Sequence, residues 1–270
     1  MKMKNKVVVI TGASSGIGKA LAFEFAALGA KLVIAARNQE KLKKIEEELS
    51  SKQYDVLTVA TDVSIENDCK ILIERSIEKY GAIDILINNA GISMRALFEE
   101  VDMTVLHQLM DINFWGTVYC TKYALPYLLK SKGSVVGVSS IAGYKGLPGR
   151  TGYSASKFAM QGFLETLRIE NLKNNLHVLI ACPGFTASNI RNTALAKDGS
   201  MQGESPLDEK KLMSAEKVAH HIINAIKKRK HRIVLTTQGK LIVLLNKFFP
   251  KLMDKMVYNH MAKEPNSPFK

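Results

Sequence analysis

The sequence predicts one α/β domain, a doubly wound parallel sheet with helices on both faces. Short apolar segments rich in Val and Ile alternate with amphipathic helical stretches, which is the order that builds such a sheet. A chain of 270 residues, 46% of them apolar, can bury one sizeable core, and no repeat or low-complexity linker divides it. The predicted strands are 6–10, 31–36, 54–60, 84–88, 134–139 and 177–182.

The first strand runs directly into a glycine-rich turn. Val7 to Ile10 are followed by the turn and then by an amphipathic helix. Glycine permits positive φ and close approach of a pyrophosphate, and the amides at a helix N-terminus bind anions. The order of strand, turn and helix therefore predicts a dinucleotide site of the Rossmann type. Its predicted contacts are Gly12, Ser14, Ser15, Gly16, Ile17 and Gly18.

The end of the second strand indicates which dinucleotide binds. An acidic side chain here would hold the ribose 2′-hydroxyl of NAD, whereas arginine suits the 2′-phosphate of NADP. This chain has Ala36 and then Arg37, and no carboxylate lies between Val33 and Gln39. The sequence therefore favours NADP(H), with Arg37 as the phosphate ligand. The alternative is a solvated arginine at a strand end.

Tyr153 and Lys157 lie one helical turn apart, which places a phenol beside an ammonium group on one helix face. A neighbouring cation favours the phenolate, so we expect a lowered pKa for Tyr153. Such a pair by itself is also common on helices that have no chemistry. The other motifs of the chain decide between these interpretations.

Together these motifs resemble the short-chain dehydrogenase/reductase family over roughly the first two hundred residues. Further motifs occur in the order typical of that family. They are Asp62-Val63, Asn88-Asn89-Ala90-Gly91, Asn113 within Asp111-Ile112-Asn113-Phe114-Trp115-Gly116, Ser139-Ser140, and Pro183-Gly184. The resemblance implies a catalytic set of Asn113, Ser140, Tyr153 and Lys157.

The resemblance also implies how the cofactor is held. Asp62 and Val63 would lie against the adenine, and Asn89, Ala90 and Gly91 would close the fourth strand beside the cofactor. The loop after Pro183 and Gly184 would hold the nicotinamide carboxamide. The family often has threonine a few residues later, where this chain has Ser188 and, two positions earlier, Thr186. The carboxamide contact is open between these two.

The implied activity is that of an NADP(H)-dependent oxidoreductase. Hydride would pass between nicotinamide C4 and the carbon of a ketone or secondary alcohol, while Tyr153 exchanges a proton with the oxygen. Ser140, favoured over Ser139, would hydrogen-bond that oxygen. Lys157 would hold the ribose hydroxyls and lower the tyrosine pKa, and Asn113 would position a water. The rival interpretation is an NADP(H)-binding scaffold or sensor without turnover, which the complete catalytic set disfavours.

The substrate is expected to be hydrophobic. The segment from about 186 to 213 is polar and rich in small residues, so we expect it to be mobile, and the resemblance makes it the substrate lid. The other predicted walls are mostly apolar, although Arg95, Lys145 and Arg150 are near enough in sequence to bind an anion. These walls are Ser93, Met94, Ile141, Tyr144, Leu147 and Pro148.

Composition favours a cytoplasmic protein without a metal site. The three cysteines lack paired spacing and are expected to be reduced, and the six histidines are not at ligand spacing. We expect no export, because the apolar run after Lys6 is needed as the first strand. The net charge of +13 includes a basic run at 227–232, but no nucleic-acid recognition motif accompanies it. By analogy with the family, a homodimer or homotetramer is expected.

We assign 1–238 to the cofactor-binding catalytic domain and 239–270 to a C-terminal helical extension of it. From Leu241 to Met256, apolar residues recur at helical spacing beside lysines, and Pro250 should kink or divide the helix. Such a stripe can pack on the core, form a subunit contact or, less commonly, lie on an anionic membrane through 239–258. The sequence leaves these three alternatives open.

Overall fold

The computed structural model describes residues 2–205, 207–208 and 212–269. Within those ranges, seven strands form one parallel sheet in the order β3-β2-β1-β4-β5-β6-β7. The strands β1 to β7 are Val7–Thr11, Lys31–Ala36, Val56–Ala60, Ile85–Asn88, Ser134–Val138, His177–Cys182 and Arg232–Val234. The six predicted strands are confirmed. The prediction missed β7, a three-residue edge strand whose first residue belongs to the basic run.

Helices cover both faces of the sheet, as predicted for a doubly wound fold. Helices α1, α2 and α7 pack on one face and α3, α5 and α6 on the other. The helices α1 to α9 are Gly16–Ala27, Gln39–Ser50, Glu66–Tyr80, Met103–Met110, Gly116–Lys130, Thr151–Glu170, Ala215–Lys227, Thr237–Phe248 and Pro250–Ala262. A π-helical turn, Asp111–Trp115, joins α4 to α5.

The central strands are apolar on both faces because both faces are covered. All five residues of β1 are buried: Val8 and Ile10 contact the α1 side, and Val9 contacts the α3 side. This pattern is typical of a parallel strand in a sheet that has helices packed on both faces. Strand β1 pairs with both β2 and β4, so the chain reverses its winding direction between β1 and β4. In such sheets the ligand cleft lies at this reversal, outside the carboxyl ends of the strands.

The C-terminal stripe divides into two helices, as Pro250 predicts. Helix α8 ends at Phe248 and Pro250 is the first residue of α9. Met253, Val257 and Met261 form the buried face of α9 and pack against Leu147, Ile242, Leu245 and Phe269. The remaining large apolar side chains of the stripe are exposed. Of the three alternatives for the stripe, packing on the core therefore does not apply to these residues. They are Leu241, Leu244, Phe248, Phe249, Leu252 and Met256.

The predicted lid, about 186–213, has no regular helix or strand among its described residues. One isolated bridge joins it to the rest of the domain, Met94 to Leu195, and two lie within it, Leu195 to Met201 and Thr186 to Met213. Residues 206 and 209–211 of this segment lie outside the described residues. Across the described part of the chain, no helix is both long enough and apolar enough to cross a bilayer.

Candidate active site

A cleft of about 620 Å³ opens at the carboxyl ends of the strands, where the winding direction reverses. Seventeen of the eighteen predicted cofactor-binding residues line it, together with Ser140. Gly18 and Asn113 do not line it and are buried beneath it. The predicted residues in the lining are Gly12, Ser14, Ser15, Gly16, Ile17, Arg37, Asp62, Val63, Asn89, Ala90, Gly91, Ser140, Tyr153, Lys157, Pro183, Gly184, Thr186 and Ser188.

The glycine-rich turn is fastened to the end of β4. The hydroxyl of Thr11 accepts hydrogen bonds from the amides of Asn89 and Ala90, both at 3.1 Å. The Asn89 side chain donates back to the carbonyls of Thr11 and Gly12, at 2.9 and 3.1 Å. Gly12 has φ +65°, and a Cβ there would lie 2.7 Å from Ala90 Cα. Only glycine fits this backbone, and the turn leaves room above helix α1 for a pyrophosphate.

Two cations lie at the end of the cleft formed by β2 and β3. The Arg37 side chain is 58% exposed, and its Nη1 lies 4.0 Å from Asp62 Oδ2. The carboxylate of Asp62 also accepts hydrogen bonds from the amide and hydroxyl of Ser64. Lys41 and Asn38 line the same end of the cleft, and sequence reasoning missed both. The signal was available, because Asn38 caps α2 directly after the second strand and accepts a hydrogen bond from the Lys41 amide.

Tyr153 and Lys157 meet in the cleft, with Ser140 facing the tyrosine. The Lys157 ammonium lies 5.8 Å from the centroid of the Tyr153 ring and donates a 3.0 Å hydrogen bond to the Val138 carbonyl. Burial raises the pKa of Tyr153, and the hydroxyl of Ser140 and the charge of Arg150 oppose this shift only in part. The expected lowering of that pKa by Lys157 is therefore wrong for this geometry. Burial also lowers the pKa of Lys157, to about 8.

Asn113 is fully buried in the π-helical turn and braces the loop after β4. Its Oδ1 accepts a hydrogen bond from the Ile92 amide at 2.8 Å, and its Nδ2 donates to the Ile92 carbonyl at 3.0 Å and to Ser156 Oγ at 2.9 Å. Both amide protons are thus used within the protein. The Asn113 side chain thus connects the loop after β4 to helix α6. Its predicted role in positioning a water stays a prediction.

The two adjacent serines at the end of β5 point in different directions. Ser139 is buried and its Oγ accepts a 3.0 Å hydrogen bond from Gln161 Nε2, whereas Ser140 faces Tyr153 and caps a short helical turn at Ala142. Gln161 was not among the predicted residues. It follows Lys157 by one turn of α6, and that spacing was the available signal.

The predicted substrate walls are only partly correct. Ser93, Ile141 and Leu147 line the cleft, but Met94 is fully buried. Neither Tyr144 nor Pro148 lines it, and the Tyr144 hydroxyl is itself buried. The cleft instead has additional apolar walls, which are Ile92, Phe185, Ile190, Leu195 and Met201.

The three basic residues considered as anion ligands have acidic partners within the chain. Arg95 and Arg150 both contact Glu264, with Nη2 to Oε2 distances of 3.4 and 3.1 Å, and all three side chains are at most 10% exposed. Lys145 pairs with Asp254. The sequence could not show this, because both acids lie more than a hundred positions away.

Thr186 and Ser188 both line the cleft but at different depths. Thr186 is buried and its hydroxyl donates to the Gly184 carbonyl at 3.2 Å. Ser188 lies beside the glycine turn, since a Cβ on Gly16 would be 3.4 Å from Ser188 Cβ. Ser188 is therefore the nearer of the two to the expected pyrophosphate position.

Known proteins resemble this chain along most of its length. Residues 6–199 match the family described as short chain dehydrogenase. Dehydrogenase/reductase SDR family protein 7-like of Dictyostelium discoideum is 35% identical, with 94% of this chain and 81% of the relative covered. The 11-beta-hydroxysteroid dehydrogenase 1A of Arabidopsis thaliana is 37% identical, with 92% and 73% covered.

Solved structures share the same architecture. A short-chain dehydrogenase/reductase from Burkholderia phymatum in complex with NAD has a TM-score of 0.84 and 25% identity, covering 93% of this chain and 96% of that one. An alcohol dehydrogenase from Thermococcus sibiricus complexed with 5-hydroxy-NADP has a TM-score of 0.76 and 26% identity, covering 86% and 96%. Because the family match, the relatives and the cleft geometry agree, the chain belongs to the short-chain dehydrogenase/reductase family.

Proposed function

We propose that this protein is an NADP(H)-dependent oxidoreductase that interconverts a hydrophobic ketone and its secondary alcohol. The meeting of Tyr153, Ser140 and Lys157 in one cleft, beside the glycine turn, carries the proposal. The glycine turn and the end of β4 would hold the pyrophosphate, and Lys157 would hold the nicotinamide ribose. When bound, the nicotinamide supplies or accepts the hydride.

Tyr153 moves the proton. Because burial raises its pKa, Tyr153 keeps its proton at neutral pH and can donate it to the oxygen of a ketone. Ser140 is placed to hydrogen-bond the same oxygen, which stabilises the charge that develops there. Lys157, with a pKa of about 8, can exchange a proton near neutrality and so return Tyr153 to its protonated form.

The cofactor is proposed to be NADP(H). Arg37 is mostly exposed and only loosely paired with Asp62, so its guanidinium can turn to a 2′-phosphate. Lys41 adds a second cation to the same end of the cleft. One solved relative holds NAD and another an NADP derivative, so the preference rests on these two side chains.

The substrate class follows from the walls. Ile92, Ile141, Leu147, Leu195 and Met201 give the cleft apolar walls. The Arabidopsis relative is named as a hydroxysteroid dehydrogenase. We therefore propose a steroid-like or other lipophilic carbonyl compound as substrate.

We also propose a homo-oligomer in a reducing, cytoplasmic-type compartment. Exposed apolar side chains on the π-helical turn and on α6 suit a subunit contact: Trp115 is 42%, Phe158 47% and Ile169 60% exposed. The three cysteines, Cys69, Cys120 and Cys182, are buried and free.

The test is oxidation of NADPH, followed by absorbance, against ketones of increasing lipophilicity, with NADH in parallel. Tyr153→Phe removes only the reacting hydroxyl and should lower kcat by at least about a hundredfold. Tyr54→Phe is the matched control, because Tyr54 precedes β3 at the opposite edge of the sheet. Equal turnover by Tyr153→Phe and the parent protein would refute the role of Tyr153. NADPH binding by both, with no turnover of any ketone, would favour the scaffold.

A further inference from the structure

Helices α8 and α9 present a continuous apolar surface to solvent. We call it the α8–α9 outer face and define it by Leu241, Leu244, Phe248, Phe249, Leu252 and Met256. Each of these side chains is between 49% and 62% exposed. Phe248 and Phe249 lie at the junction of the two helices. Clustered exposed apolar side chains of this kind mark interaction sites on soluble proteins.

The exposure does not come from poorly packed helices. Met253, Val257 and Met261 bury the inner side of α9, and Ile242 and Leu245 of α8 pack against the same cluster. Asn246 Nδ2 donates a 3.1 Å hydrogen bond to the Tyr144 carbonyl, and Asp254 pairs with Lys145. The helices are therefore fixed to the domain while their outer apolar residues remain uncovered.

The charges around the outer face have one sign. Lys240, Lys247, Lys251 and Lys255 lie among its apolar residues, and Asp254 is the only acid between residues 237 and 262. On a helical projection, Lys240 and Lys247 fall beside Leu244, along one edge of the stripe. Long lysine stems can lie along apolar surface while the ammonium groups reach anionic headgroups.

We propose that the α8–α9 outer face docks on an anionic phospholipid bilayer, with Phe248 and Phe249 entering the interface. A second copy of the chain is the less suitable occupant. A two-fold contact would bring together two faces whose charges are lysines, and the one acid between residues 237 and 262, Asp254, is already paired with Lys145. A bilayer containing acidic lipids complements this arrangement.

Docking in this way would bring the active-site cleft close to lipid. Leu147 contacts the α9 cluster on one side and lines the cleft on the other. Asn246 is bonded to Tyr144, in the same loop between β5 and α6. This consequence rests on the proposed function, because it explains how a lipophilic substrate could pass from lipid to the cleft. The proposed docking on a bilayer does not rest on that function.

The test is co-sedimentation of the full chain with phosphatidylcholine vesicles, with and without phosphatidylserine, at low and high salt. Binding to the acidic vesicles, weakened by salt, is expected. Phe248→Ser with Phe249→Ser should lower the apparent affinity at least about tenfold. Lys247→Gln with Lys251→Gln should lower it about 25-fold, since one lysine near the surface contributes about fivefold.

Matched controls separate this face from other exposed surfaces. Ile65→Ser with Ile71→Ser removes exposed apolar side chains at the start of α3, and Lys43→Gln with Lys44→Gln removes exposed charge on α2. Both controls should bind like the parent. The proposal is overturned if the parent does not bind acidic vesicles or if the outer-face variants bind equally well. It is also overturned if the phenylalanine variant splits an oligomer in light scattering without changing sedimentation. These outcomes do not depend on enzyme activity, so they are independent of the proposed reaction.

Discussion

Removal of the Arg37 guanidinium should change cofactor selectivity rather than catalysis. Arg37 is 58% exposed and its nearest acid, Asp62, is 4.0 Å away, so an exposed pair of this kind contributes under about 1 kcal/mol and breaks easily. A charge-assisted hydrogen bond to a phosphate contributes about 1.5–3 kcal/mol. Arg37→Ala should therefore lower kcat/KM for NADPH by about 10- to 150-fold, since 1.36 kcal/mol corresponds to tenfold.

The same variant should leave kcat/KM for NADH within about twofold, because NADH has no 2′-phosphate to lose. The assay is initial-rate turnover of one ketone with each cofactor across a range of concentrations. Lys41→Ala should show a smaller loss in the same direction. Lys44→Ala is the control, because Lys44 is exposed on α2 but does not line the cleft. Equal losses with both cofactors, or a parent enzyme that prefers NADH, would refute the reasoning.

Three further predictions concern stability. His177 is buried with a pKa near 4, and its ring nitrogens contact Ser134 Oγ and the Lys230 carbonyl at 2.9 Å. As pH falls, the imidazole of His177 is protonated in the unfolded chain before it is protonated in the folded protein. The free energy of unfolding measured in urea should therefore fall by up to about 3 kcal/mol between pH 6.5 and pH 4, and His177→Gln should not show this pH dependence. Glu264→Gln leaves two buried guanidinium groups without their carboxylate and should cost about 3–5 kcal/mol in urea, whereas Glu48→Gln at an exposed pair should cost under about 1; similar values would contradict the burial argument. Gly12→Ala forces a side chain into left-handed backbone against Ala90 and should cost at least about 1–2 kcal/mol and weaken NADPH binding in calorimetry. Gly146→Ala, which has open space, should do neither.

The glycine turn and the strands around it could be predicted from the sequence because their signals are local. Strand, glycine turn and helix follow one another directly, and the residues of that turn lie in the cleft. Lys41 was not predicted because phosphate ligands were expected only at the end of the second strand. Lys41 lies in the first turn of α2 and also lines the cleft.

The residues around the expected substrate position were predicted less well, because their placement depends on contacts between distant parts of the chain that sequence spacing does not show. Arg95 and Arg150 suggested an anion site until Glu264 was placed between them. Met94 and Tyr144 suggested cleft walls, but Met94 is buried against α4 and the Tyr144 ring packs on the core. Strand β7 escaped detection because three residues carry too little pattern to separate an edge strand from a charged loop.

The ion pair between Glu264 and Arg150 joins parts of the chain that a ribosome makes at different times. Strand β1, the glycine turn and the end of β4 belong to the first 91 positions, so their residues leave the ribosome early. Arg150, directly before helix α6, is held by a residue 114 positions later. At about 5–20 residues per second, a ribosome needs roughly 6 to 23 seconds to add that stretch. During that interval Arg150 of the nascent chain lacks its carboxylate partner.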